Sequence, residues 1–139
     1  MKTKQVLSIE QMKHLHELGL DTSEASMHWQ FLPTANAIIN GTDELEEEPC
    51  LFISQPNMKH EYPAYTLQDI IGRLPCYIRE NSSMYKMRIE PTLIGIWVVS
   101  YGIGASEPLL SEESENLIDA AYEMLCWLIE NEYVKNVEN

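Results

Sequence analysis

CYIRENSSMYKMRIEPTLIGIWVVSY, residues 76–101, is the stretch on which the fold turns. Two runs, CYIRE and MYKMRIE, flank Asn81, Ser82 and Ser83, residue types that favour a tight turn. In the second run Tyr85, Met87 and Ile89 alternate with Lys86, Arg88 and Glu90, which predicts one buried and one wet face. LIGIWVVSY, residues 93–101, is apolar on both faces and reads as a central strand covered above and below. Trp97 is therefore expected to be almost fully buried. The whole segment, about 76–101, predicts a small antiparallel meander.

C-terminal to it, the pattern turns helical. A long helix is expected from near Ser111 or Ser114 to about Tyr133, with Glu112, Glu113 and Glu115 in the first turn, where the helix dipole favours carboxylates. Advancing about 100° per residue, Leu117, Ile118, Ala121, Tyr122, Met124, Leu125, Leu128 and Ile129 form one broad apolar arc. Asp119, Glu123 and Glu130, with Asn116 and Asn131, form the opposite face, and Trp127 falls in its middle. An indole left in water forgoes a large burial term. Either another segment of the same chain covers Trp127, as the N-terminal helix or the 25–40 segment could, or it anchors a protein contact with Asp119, Glu123 and Glu130 as its polar rim. A homodimer or a basic protein partner fits such a surface.

On the N-terminal side, YTLQDIIGRLP predicts a short helix over about 67–74. Thr66 caps it, Asp69 completes a capping box, Tyr65 staples to Ile70 and Pro75 ends it. A further helix is expected over about 8–18, where Ser8 and Gln11 form a capping box, Leu7 and Met12 a staple, and Gly19 the stop. Between these helices, SMHWQFL reads as a short strand limited by Pro33, AII at 37–39 as another, and CLFI at 50–53 as a buried strand. GTDELEEE at about 41–48 reads as an irregular, exposed acidic loop. The expectation is one α+β domain spanning 1–139, a small antiparallel sheet packed against a long C-terminal helix with two shorter helices.

The chain has 139 residues, 45% of them apolar and 22% charged, and a formal net charge of −13. That charge repels nucleic acid and anionic membranes, so direct nucleic-acid binding is disfavoured and a basic partner favoured. No apolar run is long enough to cross a bilayer. The start, MKTKQVLSIEQ, lacks the apolar segment of a secretion signal, so a cytoplasmic location is expected. Cys50, Cys76 and Cys126 are widely spaced and read as free, buried thiols.

Signals for chemistry are sparse. His14 and His16 point to nearly opposite sides of a helix, and no H-x-x-x-H or H-E-x-x-H occurs, so no metal is expected. The acidic run lacks the alternation of a calcium loop. No phosphate-binding loop or nucleophile elbow is present, so neither a catalytic residue nor a cofactor is assigned. A small enzyme with an unrecognised site would need His16, His28 or His60 beside Cys76 or a carboxylate in a pocket. Arg79, Lys86 and Arg88 gather on the predicted hairpin and make a minor basic patch.

Two stretches, LSIEQMKHLHELGLDTSEASMHW and TLQDIIGRLP followed by NLIDAAYEMLCWLIENEYV, resemble a group of small acidic proteins of gut anaerobic bacteria, often carried on prophages and mobile elements. That resemblance implies a mobile-element origin and assigns no catalytic residue. Residues 76–130 are similar, more distantly, to HicB-type antitoxins, which pair a three-stranded meander with a following helix. The glycine-acid turn usual before that helix is missing here, and the N-terminal half is extra. The function expected is a non-enzymatic, protein-interaction or accessory role, with an antitoxin, inhibitor or DNA mimic as the alternative.

Overall fold

Asn81 and Ser82, with φ of 50° and 69°, make the turn expected between the two runs of the meander. Two successive left-handed residues give the hairpin turn whose twist matches that of its flanking strands. The computed structural model describes residues 4–40, 46–55 and 57–134. Its elements run α1 (Ile9–Glu17), β1 (Met27–Pro33), α2 (Ala35–Asn40), β2 (Glu47–Ile53), β3 (Tyr62–Ala64), α3 (Leu67–Arg73), β4 (Tyr77–Glu80), β5 (Ser83–Pro91), β6 (Trp97–Gly102), β7 (Leu110–Ser114) and α4 (Leu117–Glu130). The fold is α+β. Strands β4-β5-β6-β7 form an antiparallel meander, and β2-β1-β3 form a second antiparallel sheet.

The core lies between the four-stranded sheet and α4. Ile78 opposes Tyr85, Met87 opposes Tyr101 and Ile89 opposes Val99, so these side chains share the inner face. Val99 and Tyr101 are fully buried there, and Tyr85, Met87 and Ile89 pack against them from the side. From α4, Met124, Leu125 and Leu128 are fully buried, each large apolar side chain contributing about 1.5–3 kcal/mol. The expected apolar arc is buried apart from Leu117; Ala120 and Cys126 are buried as well, and α3 also packs on α4. Burial pushes the Cys126 thiol up to about 11, which makes it an inert apolar filler.

Both shorter helices start as their sequences dictate. Ser8 and Gln11 close one capping box, Thr66 and Asp69 the other. Val6 bridges to Thr66 and the Leu7 amide donates to the Tyr65 carbonyl, so the two helix starts are tied together.

Several expectations are corrected. The strand over 93–101 begins only at Trp97. Residues 92–96 form a turn, with Thr92 N–H donating to the Ile96 carbonyl at 2.7 Å and Gly95 at φ 84°, which leaves Leu93 and Ile94 exposed at its tip. Trp97 is only half-buried, because its partners Pro91 and Ser114 place it at the turn end of the sheet. The segment expected to open the last helix is instead β7: pairing along β6 completes the sheet, and α4 begins after Asn116. AII at 37–39 belongs to α2, where the Thr34 hydroxyl accepts from the Ala37 amide. CLFI lies in an edge strand with Phe52 and Ile53 exposed, so it is not a buried strand. Cys76 is exposed, unlike Cys126. Of the acidic run, residues 41–45 lie outside the described residues. Glu47 and Glu48 are exposed as expected but are part of β2.

Candidate functional site

The three-stranded sheet contrasts with the core. β1 and β2 pair over seven residues each, yet both become exposed toward Pro33 and Glu47. β3 pairs only with Met27, His28 and Trp29, and it is the strand that packs on α1. The β1–α2–β2 segment is thus an arm rooted at β3. Its exposed apolar side chains include Ile38 at 70%, Ile39 at 80% and Ile53 at 77%.

Register assigns the faces of the arm. Trp29 opposes Tyr62, and Phe31 lies two residues further along the same face. Glu47 opposes Pro33 and therefore joins that face as well. The Phe31 and Tyr62 rings meet edge to face, with centroids 5.3 Å apart at 74°. Trp29, Phe31 and Tyr62 line one open cleft of about 800 Å³ together with Glu47, Glu61 and Lys59. Backbone pairing accounts for the cleft. The Thr34 amide donates to the Glu46 carbonyl and the Ser54 amide to the Ser26 carbonyl, so even-numbered residues of β1 and β2 bond to each other. Odd-numbered residues of β1 then face β3, which ends at Tyr62. The backbone of Phe31 is left facing the cleft.

His28 and His60 also line this cleft. His28, on the face of β1 opposite Trp29 and Phe31, is buried, and His60 is half-buried. Their rings stack with centroids 3.7 Å apart at 12°. Gln30 Nε2 donates to His28 Nε2 at 2.9 Å, which leaves Nδ1 protonated to donate to Ser54 Oγ at 3.1 Å. Burial, and then the neighbouring His60, hold the His28 imidazole below the ordinary histidine value. Among the described residues, His60 Nε2 and Trp29 Nε1 are buried without hydrogen-bond partners, an arrangement that typically costs about 1–3 kcal/mol for each group. Lys59, His60, Glu61 and Tyr62 also line a second cleft of about 380 Å³ against α1, so this segment is a wall between two cavities. His16 joins His60 around that second cleft, with Glu17 and Asp21. Among the described residues no cluster of three or more histidines, cysteines or carboxylates is arranged to hold a metal ion.

The face expected around Trp127 is laid out differently. Glu132, at φ 64°, closes α4 in a Schellman turn: the Tyr133 amide donates to the Leu128 carbonyl at 2.8 Å and that of Glu132 to Ile129 at 3.1 Å. This turn folds Tyr133 back onto Trp127, with rings stacked 5.6 Å apart at 12°. The Tyr133 hydroxyl donates to Glu80 on β4 at 2.8 Å. Trp127 is thus half-buried, with Tyr133 of its own chain stacked on it. Asp119 accepts from Lys4 at 2.7 Å and Gln11 at 3.0 Å. Burial pulls its carboxyl up, but these bonds together outweigh it and the net shift is downward. Glu123 and Glu130 stay exposed.

Arg79, Lys86 and Arg88 do share the outer face of the meander, since Tyr77 opposes Lys86 and Arg79 opposes Met84. Arg79 and Lys86 are exposed, while the Arg88 guanidinium folds down beside Gly102. Reasoning from sequence singled out none of Trp29, Phe31, Glu47 and Tyr62. The period-two aromatics of HWQF were a visible sign of a sheet face, but Tyr62 joins them only through β3. Among the described residues no helix is long and apolar enough to cross a membrane. Comparison with protein families, with curated proteins and with solved structures gives no match to this chain.

Proposed function

We propose that the chain works by binding a protein partner through the β1–α2–β2 arm, without catalysis. The observation that carries this reading is the exposure of Ile38 and Ile39 on α2, next to the end of β1 where Phe31 and Leu32 are exposed on its two faces. Exposed apolar surface with a polar rim marks interaction sites. Glu46, Glu47 and Glu48 supply such a rim. The net charge of −13 favours a basic partner over nucleic acid or an anionic membrane. The resemblance to proteins of prophages and mobile elements supports an accessory role, inhibition of a basic protein included. The covered Trp127 leaves Glu123 and Glu130 as a secondary acidic surface.

A test is capture from the native host with the tagged chain and with a doubly substituted Ile38→Glu, Ile39→Glu form. The expected result is a protein retained by the first and lost by the second, with equal melting temperatures. Identical captures by both would contradict the arm as the contact. A small enzyme is the second reading, supported by His16 and His60 lining one cleft with Glu17 and Asp21.

A further inference from the structure

We infer that the cleft at the root of the arm is a receptor for a cationic side chain, an arginine of the partner protein. This rests on the arm as the binding element and names what it recognises. Three aromatic side chains, Trp29, Phe31 and Tyr62, line the cleft from one sheet face, and the Phe31 and Tyr62 rings meet at 74° to form two walls of a box. Glu47 and Glu61 line the same cleft and Lys59 is its single lysine among the described residues, so carboxylates outnumber fixed cations there. Both histidines in its lining are used as a stacked pair. The negative faces of aromatic rings attract cations, most strongly where water is partly excluded.

Arginine fits better than lysine. Its planar guanidinium stacks on rings, sheds water more readily, and presents a fork of donors to carboxylates. The outward backbone of Phe31 offers one amide and one carbonyl where the segment carrying that arginine would run. A volume of about 800 Å³ leaves room for the side chain and part of its backbone.

The experiment uses the full chain labelled with ¹⁵N. N-acetyl-argininamide is titrated while the Trp29 indole resonance is followed, assigned with Trp97→Phe and Trp127→Phe forms. N-acetyl-citrullinamide, equal in shape but uncharged, and tetramethylammonium are the controls. Expected is a saturable Trp29 shift with the arginine probe that weakens at high salt and is at least about fivefold weaker in Glu47→Gln and in Phe31→Leu. Both substitutions sit on exposed residues, and unchanged melting temperatures confirm intact folds. Equal binding of the citrulline probe, tighter binding of tetramethylammonium, or unchanged affinity in both variants would overturn the assignment. The two readings fail separately. Loss of partner capture in Ile38→Glu, Ile39→Glu but not in Glu47→Gln or Phe31→Leu would remove the arginine site and leave the arm.

Discussion

The meander with α4 and the β1–α2–β2 arm are built on opposite plans. In the first, Val99, Tyr101, Met124, Leu125 and Leu128 are fully buried, and the Tyr101 hydroxyl donates to the Pro75 carbonyl at 2.6 Å. In the second, Ile38, Ile39 and Ile53 are turned to solvent, and the Trp29 indole nitrogen is buried with no hydrogen-bond partner among the described residues. The first region holds most of the buried apolar mass. Under the proposed function, the second supplies the contact surface.

The sharpest way to break this comparison is to cut into the core. Leu125→Ala or Leu128→Ala should cost about 2–5 kcal/mol, read by chemical denaturation. A loss below about 1 kcal/mol would show that α4 does not carry the fold. Next is the aromatic strap over α4. Tyr133→Ala removes the stack on Trp127 and the bond to Glu80, and should lower the melting temperature, though by less than Leu125→Ala does. Trp127→Ala should cost somewhat more, since the indole is packed against the core. If both were neutral while a partner was lost, Trp127 would be an anchor after all.

How far the sequence foretold these regions follows the same division. Ser8 with Gln11 and Thr66 with Asp69 announced two helix starts because a capping box is a contact between residues three apart. The β4–β5 turn and the alternation of Tyr85, Met87 and Ile89 are local as well. Where neighbours in space decide, the reading failed. Ser111–Ser114 looks like a helix start, but the open edge of β6 recruits it as a strand. Leu93 and Ile94 look buried, but Gly95 and Thr92 turn the chain there. The aromatic cleft needs Tyr62 to meet Trp29 across 33 residues, and the stacked pair needs His60 to reach His28. No local pattern encodes either meeting.

Acidity should test the stacked imidazoles. The folded-state value of His28 is lowered, so the unfolded chain binds its proton more readily. Stability should therefore fall as pH drops through the ordinary histidine range near about 6.5, and level off below the depressed folded value. Thermal scans between neutral and mildly acidic pH should show the loss, and His28→Gln should reduce it. A pH dependence untouched by that change would mean the stack is not its source.

The smallest expected effect belongs to the arm. Ile38→Glu, Ile39→Glu should change stability by no more than about 0.5 kcal/mol, because both side chains already lie in water. Equilibrium denaturation decides it, and a cost on the scale of Leu125→Ala would mean the tip packs on something in the folded chain.

The division of labour is tested most directly by native-state hydrogen exchange, which reports the opening free energy of each backbone amide without needing a partner. Amides of β6 and α4 should exchange only through global unfolding. Those of β1 and β2, from Trp29 to Phe52, should exchange through local opening at clearly lower free energy, because little core holds them. Arm amides as strongly protected as those of α4 would contradict the account, making the arm part of one cooperative unit.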